Sequence, residues 1–311
     1  GFKLDFEGFN NEMLEQKRKA RSAWTGTGDE NNSKIWFDIF ENYGSTEFLG
    51  YSVNSVQAKI QEMVKAEKLI KKSKINEEVA IIVNQSPFYA ESGGQTSDIG
   101  YIKSETGKAK VNKVEKKNRL IIHYCKVIDG FFEKDSTCDL TIDCDHRLKV
   151  STNHTATHLL HEALRLVLGD HVVQKGSLNS KDRLRFDFSN PKPLTRKQIL
   201  KIEKIVNSII KQNVLIETQI MSLENALKTG SRALFGEKYD EEVRVVKIKS
   251  QEIQNFFSSE LCGGTHLNNT SEIGFFKVFL ETSSSSGVRR IEAYTGEKAI
   301  DYISDLEQEF L

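Results

Sequence analysis

Proline is scarce, with three residues in a chain of 311, and long Pro-rich spacers are thereby excluded. Cysteine is scarce as well. Cys125, Cys138, Cys144 and Cys262 make four, too few for a disulfide scaffold, and a reduced, cytoplasmic setting is the better reading. An excess of one charge is missing: 44 Lys plus Arg balance 44 Asp plus Glu. A nucleic-acid partner therefore cannot be read from bulk charge and has to rest on local patches or on resemblance. No apolar run approaches the roughly 20 residues of a membrane-spanning helix, so no membrane association is expected. The opening residues Gly1 to Glu7 alternate polar and apolar, unlike a signal peptide, and begin without Met, so the chain is expected to be part of a longer one.

What is present is ordinary for a globular protein: 38% hydrophobic and 28% charged residues, over a length that suggests about two domains. Residues 10–23 are strong helix formers behind Asn10 or Asn11, and Lys34 to Tyr43 carries Ile35, Trp36, Ile39 and Phe40 at helical spacing. From residue 46 short β-type runs take over, at Thr46–Val53, Val79–Val83, Gly100–Ile102, Leu120–Tyr124 and Cys138–Ile142. Turn signals such as Gly93-Gly94 and Asp129-Gly130 separate them, and the spacing predicts a small β-barrel. The stretch 55–72 reads equally as a strand with a lysine-rich turn or as an amphipathic helix. Cys125, Cys138 and Cys144 read as buried strand residues. Residues 148–168 form an apolar helical stripe stopped by Gly169, and 195–213 form another with Thr195 as its cap. Strands are expected at about 172–178, 184–188, 214–220, 243–248, 274–282 and 288–295, and a last helix from Glu297 to Leu311. No internal repeat is evident. The fold class is α+β: a short helical N-terminal segment (1–45), a small β-barrel (46–147), an α/β unit of antiparallel sheet with packed helices (148–296), and the start of a C-terminal helix (297–311).

Two short motifs carry chemistry. In His154-Thr-Ala-Thr-His158 the imidazoles lie four apart, on one face of a helix. In Cys262-Gly-Gly-Thr-His266 a thiolate and an imidazole flank two glycines that suit a tight turn. Either motif alone is weak, because a helical His pair is more often ordinary and a single Cys is more often a small buried hydrophobe. Together they supply four ligands of the kind zinc prefers. His161, on the same face as His158, leaves the ligand choice open. A zincin protease is excluded: His161-Glu162 would need a second His at 165, and that residue is Arg165.

The run His154-Thr-Ala-Thr-His158-Leu-Leu-His161-Glu-Ala-Leu resembles the editing domain of the alanyl-tRNA synthetase family. So do Val173 to Ser177, Leu184 to Ser189, Ala233 to Tyr239, Cys262 to His266 and Gly287 to Ala293. Upstream, Pro87-Phe-Tyr-Ala-Glu-Ser-Gly-Gly-Gln95 resembles the β-barrel preceding that domain, and Gly1 to Arg21 the end of its tRNA-recognition helices. The resemblance covers essentially the whole chain. Related editing domains, in threonyl-tRNA synthetase or free-standing proteins, are disfavoured by the barrel motif at 87–95. The class II aminoacylation motifs, and with them the sites for ATP and Mg2+, have no counterpart, nor does the C-terminal domain.

The resemblance implies one Zn2+ held by His154, His158, Cys262 and His266, and hydrolysis of seryl- or glycyl-tRNA(Ala) at the aminoacylated 3′ end. An alternative is a non-catalytic tRNA-binding module with structural zinc. Four protein ligands suit a closed structural site, whereas a catalytic zinc keeps a position open, so both roles for the ion stand. Thr157 is expected to bond the serine hydroxyl, with a bond to its own helix as the plain alternative. Gln174 is expected to orient water or the ester carbonyl, with an ordinary strand polar residue as the alternative. Gly263 and Gly264 permit close backbone approach to the aminoacyl group, or serve the turn alone. Arg185, Asp187 and Arg289, with Arg290, are candidates for substrate binding, the arginines through phosphates of the 3′ end; a solvated strand face competes with that reading. The basic run Lys17, Arg18, Lys19 and Arg21 is a candidate tRNA contact or a solvated helix face. Asp98 and Glu91 have no assigned role. Sequence alone leaves the oligomeric state open.

Overall fold

The computed structural model describes residues 30–233, 239–249 and 257–309. The helix expected at 10–23 and its basic run lie outside the described residues. Helix α1 (Glu30–Tyr43) is followed by nine strands: β1 (Glu47–Phe48), β2 (Ser55–Lys65), β3 (Lys68–Leu69), β4 (Glu78–Val83), β5 (Gln85–Ser86), β6 (Gly100–Lys103), β7 (Gly107–Lys117), β8 (Leu120–Gly130) and β9 (Thr137–Ile142). Six of them close a barrel in the order β2-β4-β8-β7-β6-β9, with β2 pairing again to β9. Closure depends on a register shift in β2 between Ile60 and Glu62, so that its first half pairs with β9 and its second half with β4.

Strict alternation fills the barrel. Along β9, Cys138, Leu140 and Ile142 are buried while Thr137, Asp139 and Thr141 are exposed. On β4, Val79, Ile81 and Val83 point inward, whereas Ala80 and Ile82 pack outside against Trp36 and Ile39 of α1. That strand is buried on both faces, which accounts for its unbroken apolar run. The ambiguous stretch resolves as strand and turn, with Ala66 and Glu67 in the left-handed region. Thr46–Val53 supplies only the two-residue strand β1, paired in parallel with β5.

His123 is wholly buried in the barrel wall, held by Ser86 Oγ at 2.7 Å and the Ile81 carbonyl at 3.0 Å. Burial pushes its pKa down from 6.5 to about 4. The unfolded chain therefore binds more protons than the folded one between these values, and stability falls as pH drops through that window. The expected loss attributable to His123 is about 2.5 kcal/mol between pH 7 and pH 4.5. Denaturant titrations of the wild type and His123→Gln at both pH values check this, the variant losing correspondingly less.

Helix α2 (Cys144–Leu168) leaves the barrel directly, four residues earlier than the apolar stripe suggests, because Asp143 caps it by accepting from the His146 amide. Cys144 is thus a helix residue, and it is exposed; Cys125 and Cys138 are in the barrel core, where burial pushes the Cys138 thiol up to about 12 and Cys125 higher still. Asp98 has a clear part. Its carboxylate takes the Arg147 guanidinium of α2, which also donates to the Gly50 and Pro87 carbonyls at 2.8 and 2.9 Å. The loop 87–98 is thereby pinned to the first turns of α2.

The remaining elements are β10 (Gln174–Asn179), β11 (Leu184–Ser189), α3 (Arg196–Lys211), β12 (Ile216–Ser222), α4 (Leu223–Lys228), β13 (Glu242–Ile248), β14 (Ser258–Leu261), β15 (Phe276–Ser285), β16 (Val288–Thr295) and α5 (Gly296–Glu309). Strands β10-β11-β16-β15 form one antiparallel sheet, and β12-β13-β14 a second. Thr195 caps α3 in a reciprocal capping box with Gln198. Leu159, Leu160 and Leu164 of α2, Ile202 and Val206 of α3, and Phe186, Phe188 and Ile291 of the first sheet share one core. Among the described residues, five helices and two antiparallel sheets besides the barrel make the fold α+β, as the sequence implies. Among the described residues no helix is long and apolar enough to cross a membrane.

A candidate metal centre at the barrel edge

Helix α2 presents His154 and His158 on one face, with ring planes 18° apart and centroids 5.3 Å apart. The turn after β14 brings Cys262 and His266 to meet them. The ligand atoms of these four residues all lie within 4.8 Å of one another, so the group can hold a metal ion. Cys262 Sγ is 3.4 Å from His154 Nε2 and 3.3 Å from His266 Nε2.

Each imidazole is fixed from behind. The Nδ1 of His154 lies 2.7 Å from Gln95 Oε1, that of His266 3.2 Å from Thr155 Oγ1, and that of His158 2.6 Å from Glu260 Oε2. Because Nδ1 is engaged in all three, Nε2 is the atom turned toward the common centre. His158 Nε2 is buried there and makes no hydrogen bond. An unpartnered buried nitrogen beside a thiol and two further imidazoles makes a donor set that suits a metal ion. His161 is outside the set. Its Nδ1 bonds the other Glu260 oxygen at 2.8 Å and its ring packs on Phe186.

The electrostatics agree. Burial opposes ionisation of Cys262, but the imidazoles of His154, His266 and His158 outweigh it and hold the thiol well below its usual range. Burial likewise opposes the imidazolium of His158, yet Glu260 and Cys262 raise its pKa to about 10. Burial lowers His266 to about 3. A proton and a metal ion thus compete for His158, while the thiolate is ready in either case.

The turn 262–264 is held by its carbonyls. Arg244 of β13 donates to the Cys262 and Gly264 oxygens at 3.0 and 2.8 Å and lies 4.4 Å over the Tyr51 ring; the Tyr51 hydroxyl donates to the Gly263 oxygen. Gly264 has no room for a side chain, since a Cβ would sit 2.1 Å from His154 Cε1, whereas a Cβ on Gly263 would meet only the Tyr51 hydroxyl, at 3.9 Å.

A cavity of about 90 Å³ opens beside this group, and Thr157, Gln174, Gly263 and Gly264 line it together with His154, His158 and Cys262. Thr157 Oγ1 lies 2.9 Å from the Asn153 carbonyl of its own helix and 2.6 Å from Asn179 Oδ1. Its one proton is taken within the protein, which leaves it lone pairs for a ligand. Arg185, Asp187 and Arg289 are not among the lining residues. Asp187 takes Arg290 through two bonds of 2.6 and 2.8 Å and has Arg185 at 3.8 Å, while Arg289 bonds Glu281 at 2.6 Å. The cavity wall also includes Tyr89, Ser92, Ser177, Tyr239 and Glu260, to none of which sequence reasoning gave a role. Ser92 lies inside the motif 87–95, which was the available signal; Glu260 had none.

Two sequence-family models match. Residues 1–146 match the class II (A) tRNA synthetases, and residues 243–292, which include the Cys262–His266 turn, match the second additional domain of threonyl and alanyl tRNA synthetases. These matches, which take in the barrel and the turn bearing Cys262 and His266, place the chain among class II tRNA synthetases. Within that class it belongs to the alanyl-tRNA synthetase family. It is 45% identical over 316 residues to the alanine–tRNA ligase of Paracoccus denitrificans, covering 99% of this chain and 36% of that enzyme. It is 43% identical over 313 residues to that of Rhizobium meliloti, covering 99% and 35%. The chain thus spans about a third of the length of these relatives.

Proposed function

We propose that this chain is the part of an alanine–tRNA ligase that hydrolyses the ester of mischarged seryl- or glycyl-tRNA(Ala), and that its metal centre holds one Zn2+. The observation carrying this reading is the meeting of His154, His158 and Cys262, three of the four grouped side chains, with Thr157 and Gln174 at one small cavity. The need for such a site is energetic. An alanine pocket rejects glycine, one methyl smaller, by only ~10–200-fold, and an added hydroxyl is similarly hard to exclude, so a second site that removes wrong products restores accuracy.

His154, His158, Cys262 and His266 would hold the zinc, since three imidazoles and a thiolate suit it. When bound, the ion supplies either Lewis acidity toward the ester or an ordered pocket for the 3′ end. The Thr157 lone pairs accept the hydroxyl proton of a seryl group, a bond that alanine cannot make. Gln174 holds the attacking water against the acyl carbon. Water oxygen bonds to that carbon, the bond to the ribose oxygen breaks, and the water proton passes to that departing oxygen, which leaves as the free ribose hydroxyl. Gly263 and Gly264 let the backbone approach the aminoacyl group. Arg185, Asp187 and Arg289 contribute by bracing the sheet that carries Gln174. In this reading 46–147 is a barrel unit and 148–296 the hydrolytic unit, with 1–45 and 297–311 flanking them. Aminoacylation, with ATP and Mg2+, falls to the parts of the longer relatives that this chain does not span.

Incubation with seryl- and alanyl-tRNA(Ala) tests the reading, with loss of the seryl ester alone expected. The closed count of four protein ligands favours a second reading, a tRNA-binding module with structural zinc; tRNA bound with no ester lost would establish it. Thr157→Val should slow seryl-ester hydrolysis roughly ten- to hundred-fold and shrink the serine-over-alanine ratio by a similar factor. Single-turnover rates on the two esters measure both effects.

A further inference from the structure

We infer that Gln95, a residue of the barrel, is the positioning residue that fixes His154 as a metal ligand, so that the metal centre is completed across the two halves of the molecule. The inference rests on the metal reading above and concerns how the site is held together.

Gln95 is wholly buried. Its Oε1 accepts from the Thr265 backbone amide at 2.9 Å and lies 2.7 Å from His154 Nδ1. A backbone N–H can only donate, so the atom it meets is the carbonyl oxygen of the side-chain amide. His154 Nδ1 must then carry the proton, and its Nε2 lone pair must face Cys262 Sγ, 3.4 Å away. The other end of the amide is equally determined. Nε2 of Gln95 donates to Thr265 Oγ1 at 2.8 Å, which also shares a hydrogen bond with Ser151 Oγ at 2.7 Å. One side chain thereby sets the tautomer of a ligand from α2 and the backbone of the turn that carries Cys262 and His266. Outer partners of this kind govern how well a site binds its ion.

The loop bearing Gln95 has no freedom to swing away. Gln95 forms an isolated parallel bridge with Asn179 at the end of β10, through Thr96 N to Asn179 O at 3.0 Å and Asn179 N to Gly94 O at 2.6 Å. Asp98 locks the same loop to Arg147 of α2. Gly94 permits the approach, being at φ +79° with a Cβ position only 2.7 Å from the Ser177 oxygen.

The test is zinc affinity, measured on the whole chain by competition with a chromophoric chelator. Gln95→Leu should bind zinc roughly ten- to hundred-fold more weakly than the wild type. Gln95→Glu keeps an acceptor for both N–H groups and should bind within a few-fold of the wild type. A merely structural Gln95 would lower the melting temperature of the metal-free protein and leave the affinity alone. Wild-type affinity in Gln95→Leu, or a Gln95→Glu as weak as Gln95→Leu, overturns the inference; a wild type that holds no zinc removes the metal reading and this inference with it. Should Gln95→Leu not fold, long-range 1H–15N NMR of the wild-type holoprotein decides: protonated Nδ1 on His154 is expected, and protonated Nε2 overturns the inference.

Discussion

Cys262→Ala should reduce bound zinc from about one per chain to none and bring seryl-ester hydrolysis down to the buffer rate. The thiolate is the only anionic donor among the four ligands, and the three imidazoles around it already hold it ionised against the cost of burial. Removing it leaves the buried imidazoles of His154 and His158 and the half-buried one of His266 with no anion at their centre, where His158 has an unpartnered Nε2. Structural zinc sites of this type gain about 10–16 kcal/mol of apparent binding free energy at neutral pH, and loss of one of the ligands forfeits a large part of it. Cys262→Ser is expected to behave the same way, because a smaller, uncharged hydroxyl replaces the thiolate. Metal analysis of the purified variants is the check; a full zinc complement in Cys262→Ala would remove this residue from the ligand set.

The second large effect separates two neighbouring glycines. Gly264→Ala should lose zinc and activity together, while Gly263→Ala should keep its zinc. Neither position needs the left-handed backbone that favours glycine, so the difference is steric. A methyl at 264 would stand 2.1 and 2.3 Å from Cε1 and Nδ1 of His154 and 2.8 Å from Gln95 Oε1. The ring has to move, and its bond to Gln95 breaks as it does. Overpacking of this kind costs about 1–3 kcal/mol in stability, apart from the displaced ligand. A methyl at 263 meets nothing closer than the Tyr51 hydroxyl at 3.9 Å, and Gly263 is one of the residues lining the cavity. It should spare the metal and slow hydrolysis by crowding the aminoacyl group. Zinc content and seryl-ester rates of the two variants, measured side by side, check both halves.

Much of this arrangement is legible in the sequence because it is local. His154 and His158 advertise themselves by helical spacing, and Thr195, Gly169 and the apolar stripes of α2 and α3 mark their own elements. Other parts carry no local signal. Strand β7 alternates as a strand should, but its inward residues Ala109 and Val111 are small and its outward ones are largely lysines, so it looks like a solvated loop. Strand β14, Ser258 to Leu261, is too short to show a period. Helix α2 reaches back to Cys144 because of a cap, at a place where its residues show no stripe. The partners that orient the imidazoles are the least legible, since Gln95 is 59 residues from His154 and Glu260 is 102 from His158. Their polar side chains are indistinguishable from surface residues until the barrel and the second antiparallel sheet have packed against α2.

The most direct test of the proposed site is seryl-tRNA(Ala) hydrolysis by this chain as purified, after removal of zinc by a chelator, and after zinc is restored. Ester loss well above the buffer rate is predicted for the first, none for the second, and recovery for the third. Hydrolysis that continues at full rate in the metal-free protein would contradict a metal-organised hydrolytic site at His154, His158, Cys262 and His266.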